Sequence, residues 1–137
     1  MKESKFLKIK YTSVYVDDQE KAFEFYTKIL GFVKKQDISQ GKYRWLTVAS
    51  PEEPEGTQLQ LAPNDNPAAN AYQKAIFKQG IPAALFFVSS IQDEYERLQK
   101  LGVRFTMPPT KLPVPSTIAV FDDTCGNLIQ IVQLETT

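Results

Sequence analysis

Gln60 and Gln130 each stand in the middle of an apolar run that follows a glycine. The runs are Gly56-Thr57-Gln58-Leu59-Gln60-Leu61-Ala62 and Gly126-Asn127-Leu128-Ile129-Gln130-Ile131-Val132. A neutral amide in a strand donates and accepts hydrogen bonds, but it holds no proton to transfer near neutral pH. The other polar candidates are Asp17-Asp18, Asp122-Asp123, Cys125, Arg44 and Arg104. The chain contains no histidine, so it lacks both the commonest general base and the commonest metal ligand. Asp17-Asp18 precedes an amphipathic run and reads as a helix cap rather than a catalytic dyad. Asp122-Asp123 reads as a turn former. Cys125 has no histidine to activate it and reads as a structural thiol. Arg44 and Arg104 read as solvated strand edges rather than anion ligands. No catalytic residue is assigned.

The two glutamines belong to a longer internal repeat. Val16-Asp17-Asp18-Gln19-Glu20 opens a helix ending at Leu30-Gly31-Phe32, and Val88-Ser89-Ser90-Ile91-Gln92 opens another ending at Leu101-Gly102-Val103. The offset is 72 residues at the valines, 71 at the helix ends and 70 at the glutamines, so one supersecondary unit is used twice. In the first copy Ile9 to Val16 reads as a strand. A helix follows with Asp17 as N-cap, Glu20 at the capping-box distance, and Ala22, Phe25, Tyr26, Ile29 and Leu30 on one stripe. Phe32 to Ile38, Tyr43 to Ala49 and Thr57 to Ala62 complete a βαβββ module. Asn66-Pro67 starts a connector helix with Ala71, Tyr72, Ala75 and Ile76 as its apolar stripe. The second module reads as strand Ala83 to Val88, helix Ile91 to Leu101, and strands Val103 to Thr106, Thr117 to Phe121 and Leu128 to Leu134. Met107 to Pro115, with four of the nine prolines, reads as a stiff loop. The fold class is therefore α+β. A single domain spans 1–137, with module 1 about 8–64, the connector about 65–81 and module 2 about 82–134.

Composition limits the partners. Sixteen basic and sixteen acidic residues cancel and no basic run exceeds two residues, which argues against nucleic acid and anionic membranes. No apolar stretch approaches membrane-spanning length. One cysteine excludes an internal disulfide framework and fits a cytoplasmic location.

Two βαβββ modules in a chain of this length resemble the vicinal oxygen chelate superfamily of glyoxalases, extradiol dioxygenases and bleomycin-resistance proteins. The resemblance rests on Tyr15-Val16-Asp17-Asp18, Phe25-Tyr26 and Leu30-Gly31-Phe32. It also rests on the closing Phe121-Asp122-Asp123-Thr124-Cys125-Gly126-Asn127-Leu128-Ile129, which is similar to the family's D-P-x-G-N turn. It implies tandem modules that form a curved mixed sheet around a cleft, and a homodimer. In the metal-dependent members four strands each place one His, Glu or Gln on the concave face. Those places fall on Tyr11, Gln60, Ala83 and Gln130 here. Alanine has no donor atom, glutamine carbonyls bind dications weakly, and a tyrosine ligand must lose its phenolic proton. The expectation is no metal and no cofactor.

Strand alternation then assigns faces. Gln60 shares its face with Gln58 and Ala62, while Leu59 and Leu61 turn to a helix. Tyr11, Ser13 and Tyr15 line the cleft on the first strand, Trp45 and Thr47 on the third. Ala83, Leu85 and Phe87, with Leu128, Gln130 and Val132, line it in the second module. The expected ligand-binding set is Tyr11, Ser13, Trp45, Gln58, Gln60, Phe87 and Gln130. Tyr11, Trp45, Gln60, Phe87 and Gln130 are expected around one cavity. Aromatic walls with neutral amides suit an aromatic or amphipathic small molecule held without a metal. The bland alternative makes Tyr11 and Trp45 core aromatics, with the two amides satisfying each other. A glyoxalase-like lyase or dioxygenase-type enzyme is the functional alternative, and a dimeric scaffold without a ligand is the third reading.

Overall fold

The computed structural model of the chain describes residues 5–134. Among the described residues, eight strands form two four-stranded sheets, each flanked by a helix of its own module. In the first sheet β1 (Tyr11–Val16), β4 (Gln58–Pro63), β3 (Tyr43–Ala49) and β2 (Val33–Gln40) lie in that order. In the second, β5 (Ala84–Phe87), β8 (Leu128–Leu134), β7 (Ser116–Asp122) and β6 (Phe105–Lys111) repeat the arrangement. β1 runs parallel to β4 and β5 parallel to β8, and the other pairings are antiparallel. The parallel pairs need a crossover, which supplies the helix of each module. These helices are α1 (Gln19–Glu24, continued as a wider turn over Phe25–Ile29) and α3 (Ile91–Lys100). The connector α2 spans Pro67–Lys78.

Alternation sends one face of each sheet into a shared core. Val14, Val16, Leu46, Val48, Leu59 and Leu61 of the first sheet join Ala119, Phe121, Ile129 and Ile131 of the second. Ala22, Phe25 and Tyr26 from α1, with Ile91 and Leu98 from α3, complete the same cluster. Rings cross the module boundary, with Phe32 and Phe86 edge-to-face at 5.3 Å. The opposite faces, which carry the glutamines, therefore turn away from the core.

Four local expectations are corrected. The N-cap of α1 is Asp18, whose Oδ1 accepts from the backbone N–H of Glu20 and Lys21 at 2.9 and 3.0 Å. Asp17 instead pairs with Lys21. The end of the first helix widens because Leu30 N–H reaches Phe25 O, five residues back. The Thr27 hydroxyl takes the Phe23 carbonyl at 2.6 Å, competing with the regular ladder. The proline-rich segment is not a loop throughout. β6 extends through Pro108-Pro109 to Lys111, with register shifts on either side of Met107. It is an edge strand, so prolines that cannot donate are accommodated at a bulge.

The fourth correction concerns α2. Its buried residues are Ala69 and Gln73, while Tyr72 is exposed. A glutamine lies at the centre of the packed face because the surroundings there are polar. Gln73 Nε2 donates to Tyr15 O and to Cys125 O, and also lies 3.1 Å from Asn127 Oδ1. Its Oε1 accepts from Asn64 Nδ2 at 2.7 Å. Asn127 Nδ2 donates to Tyr15 O and to Asp123 Oδ2. The wholly buried Asp123 also accepts from the Tyr26 hydroxyl at 2.6 Å and from the backbone N–H of Cys125 and Asn127. One cluster thus ties α1, α2, β1 and the β7–β8 turn together.

Two stability predictions follow from this cluster. Gly126 has φ +102, and a Cβ there would lie 2.6 Å from the pinned Gln73 Nε2. Gly126→Ala is expected to lower stability by about 1–3 kcal/mol through backbone strain. Tyr26→Phe is expected to cost about 1–3 kcal/mol, because Asp123 loses a donor it cannot replace with water. In urea unfolding both should shift the midpoint and leave the slope unchanged. Midpoints equal to wild type would show that the cluster does not support the fold.

Candidate functional site

The glutamine-bearing face of the first sheet is built by register. Tyr11 pairs with Gln58, Ser13 with Gln60, and Thr47 with Gln60 across the next strand. Cross-strand neighbours on one face stand close enough for their side chains to meet. Ser13 Oγ donates to Gln60 Oε1 at 2.8 Å. Gln58 Oε1 accepts from Thr47 Oγ1 at 2.7 Å and from Gln36 Nε2 at 2.9 Å. Gln36 Nε2 also reaches the Tyr11 hydroxyl at 3.1 Å. The Tyr11 ring meets Trp45 edge-to-face at 5.2 Å.

Tyr11, Ser13, Trp45, Gln58 and Gln60 are therefore brought together on one surface. Gln58 is buried, Gln60 and Trp45 half-buried, and Tyr11 and Ser13 exposed. Trp45 lies opposite Leu46 and Val48, which are in the core. The carbonyl oxygens of both glutamines are already engaged. The Gln60 amide N–H₂ is left to donate to an acceptor on a ligand.

Phe87 and Gln130 lie on the corresponding face of the second sheet. Leu85 pairs with Gln130 and Phe87 with Val132 on one side, and Val120 faces Gln130 on the other. Leu85 and Phe87 are 62% and 64% exposed, which leaves this apolar surface uncovered. A 290 Å³ cavity adjoins it, walled by Phe77 of α2 and floored by Val120 and Leu128. Within the chain the seven residues thus form two groups, one per sheet, because alternation turns both faces from the common core.

Gln36 was not among the expected residues. Plain alternation along β2 gives no reason to pair it with this face's Thr47. A register shift between Lys34 and Gln36 makes that pairing, and the sequence carries no glycine or proline there to announce it. Arg44, on β3, and Arg104, just before β6, are both ion-paired. Arg44 holds Asp37 through two nitrogens and Glu20 through a third, and Arg104 holds Asp122. The Arg44 guanidinium keeps the Asp37 carboxyl below its usual value.

The remaining ionisable candidates serve the fold. Burial raises the Asp123 carboxyl above its usual pKa, against the pull of its hydrogen-bond donors. Burial, reinforced by Asp123, pushes the Cys125 thiol up to about 12. A thiol of that acidity carries almost no thiolate at neutral pH.

A divalent metal does not fit this donor set. The Tyr11 hydroxyl is engaged by Gln36 and the Gln60 carbonyl by Ser13, and Ala83 offers no side-chain donor. No carboxylate stands among the seven residues to offset a dication. No helix among the described residues is long and apolar enough to cross a membrane.

Comparison with known proteins places this geometry. Residues 8–131 match the family model described as the Glyoxalase/Bleomycin resistance protein/Dioxygenase superfamily. The chain is 58% identical over 127 residues to YurT, an uncharacterized protein of Bacillus subtilis (strain 168), covering 93% of this chain and 99% of that protein. Among solved structures, UcmS2 is 32% identical, with a TM-score of 0.80 over 93% of this chain and 98% of its own. TnmS3, an antibiotic binding protein from Streptomyces sp. CB03234, is 26% identical with a TM-score of 0.73, covering 97% of this chain and 100% of its own.

The two glutamines of β4 are expected to differ in what they contribute to stability. Gln58→Leu removes the acceptor of the fully buried Thr47 hydroxyl and should cost about 1–3 kcal/mol. Gln60→Leu leaves only the exposed Ser13 hydroxyl unpaired and should stay within about 0.5 kcal/mol of wild type. Thermal unfolding of the two variants checks this, and equal destabilisation would remove Gln60 as a residue spare for binding.

Proposed function

The chain belongs to the glyoxalase/bleomycin resistance protein/dioxygenase superfamily, and on that premise we propose that it binds a small molecule without a metal. The ligand is aromatic or amphipathic and lies against Tyr11, Ser13, Trp45, Gln58, Gln60, Phe87 and Gln130. The observation that carries this reading is the first sheet's face, where an aromatic pair stands beside a neutral amide network. Such a surface stacks a planar body and donates to its oxygen atoms. It has no group with which to move a proton at pH 7. The likeness to TnmS3, described as antibiotic binding, supports the same reading. A glyoxalase-like lyase or a dioxygenase needs a metal to polarise substrate oxygens, and the donor set here does not suit one.

The protein acts as a homodimer in the cytoplasm, without nucleic acid or membrane partners. β1 and β5 are sheet edges, and exposed apolar residues stand on or beside them, including Leu7, Ile9, Tyr11, Leu85 and Phe87. A second copy would cover these edges and bring the first face of one chain beside the second face of the other. That juxtaposition would unite Gln60 with Gln130 around one ligand.

Three measurements test the proposal. A thermal-shift screen with aromatic metabolites and antibiotics should find a stabilising ligand that quenches the fluorescence of Trp45, the sole tryptophan. Trp45→Phe should then weaken binding by about 0.5–1.5 kcal/mol, and Gln60→Leu by about 1–3 kcal/mol. Stoichiometric divalent metal in purified protein, lost in Gln60→Ala or Gln130→Ala, would favour the enzyme instead. Sedimentation at micromolar concentration should give about twice the 15.5 kDa chain mass, and Phe87→Glu should return it to one. A monomeric wild type would overturn the dimer.

A further inference from the structure

The internal repeat creates two junctions between the modules, and they are filled differently. At the first, the β1–α1 segment meets the β7–β8 turn. Asp17 N–H donates to Cys125 O, and the Gln73, Asn127 and Asp123 side chains occupy the space behind. The repeat equates Val16-Asp17-Asp18 with Val88-Ser89-Ser90, and Asp122 to Gly126 with Glu52 to Gly56. At this second junction the structure has a cavity of about 480 Å³, lined by Val88-Ser89-Ser90 on one side and Ser50-Pro51-Glu52 on the other. Its volume falls in the range of small-molecule sites, about 300–1,000 Å³.

The floor and mouth of this cavity differ in chemistry. Leu98, Phe121 and Ile131, all nearly inaccessible, form the floor, and Phe32 and Phe86 stand beside them. The mouth carries Glu52, Asp93 and Glu94 against one cation, Arg97. Arg97 is committed elsewhere. It holds Glu94 through Nε and Nη2 at 2.7 Å each, and donates to Ile29 O and Leu30 O. Glu52 and Asp93 have no ion-pair or hydrogen-bond partner for their carboxylates among the described residues. An apolar chamber with two unneutralised carboxylates at its opening selects a ligand with a hydrophobic body and a positive end.

We infer that this junction cavity is a second binding site, separate from the glutamine faces, for small amphipathic cations such as aryl-alkyl amines. The apolar body lies on Phe32, Phe86 and Leu98, and the ammonium lies between Glu52 and Asp93. Only Phe87 borders both regions, so occupancy here does not depend on Trp45 or Gln60.

The test uses ¹⁵N-labelled full-length protein and three matched probes: 2-phenylethylammonium, 2-phenylethanol and 3-phenylpropionate. The ammonium should perturb the amides of residues 30–32, Ser50, Glu52 and 86–90, which line the cavity, and bind more tightly than the alcohol, with the carboxylate weakest. Glu52→Gln combined with Asp93→Asn should reduce the ammonium's affinity about three- to tenfold and erase its advantage over the alcohol. Both positions are exposed, so the double variant should keep the wild-type unfolding midpoint. Ser50→Trp should fill the chamber and abolish the perturbation. No perturbation of these amides at millimolar probe would overturn the inference. So would a charge-independent order of affinities, or perturbation confined to the Trp45 and Gln60 face.

Discussion

A carboxylate with no access to water fixes how the two halves of this chain meet. Asp123 survives burial because the Tyr26 hydroxyl, the Asn127 amide and two backbone N–H groups converge on it. A buried carboxylate without such donors would be strongly unfavourable. Each donor belongs to an element whose position is thereby constrained: α1 through Tyr26, the β7–β8 turn through Cys125 and Asn127. Asn127 and Gln73 extend the constraint to the Tyr15 carbonyl and to α2. No buried side-chain nitrogen or oxygen among the described residues is left without a partner. The apolar core around Phe25 and Phe121 supplies driving force without direction. The polar cluster supplies the direction, and so it determines which way the two glutamine faces look.

Much of this was legible from side-chain periodicity and from the internal repeat. The division of Leu59 and Leu61 from Gln58 and Gln60 follows from a period of two, and the repeat and the βαβββ order follow from helix and glycine-turn motifs that recur at a nearly constant offset. β3 and β8 also have the bounds that their sequences suggest. The misreadings share a physical cause. Each concerns a polar or backbone-specific interaction that hydrophobicity does not encode. Asp17 and Asp18 are alike in sequence, and only backbone geometry decides which one caps. Gln73 looks like a solvent residue on α2, yet it is buried because three polar acceptors lie within its reach. The reach of β6 through two prolines depends on its being an edge, which is a property of topology.

The candidate site divides in the same way. Its aromatic and amide members were readable because they alternate with core residues on β1, β3 and β4. Gln36 was not, because it enters the network through a bulge. Its role is substantial, since it links Tyr11 to Gln58 and thereby holds the ring that Trp45 packs against. In the resulting surface the Gln58 and Gln60 carbonyls and the Gln36 N–H₂ are engaged, and the Gln60 N–H₂ is the group left to donate. Its side chains are held in place by hydrogen bonds among neutral groups.

The prolines of β6 bear on what the protein avoids. A sheet grows when an incoming chain finds a row of N–H and C=O groups at its edge. At the outer rim of the second sheet, Pro108 and Pro109 supply no N–H, and the register is broken beside them. At the outer rim of the first, β2 presents Lys34, Lys35 and Asp37. Both rims farthest from β1 and β5 are thus poor templates for strand addition. Growth by stacking copy upon copy is blocked there, and fibrous polymerisation loses the route that an unguarded β edge would give it.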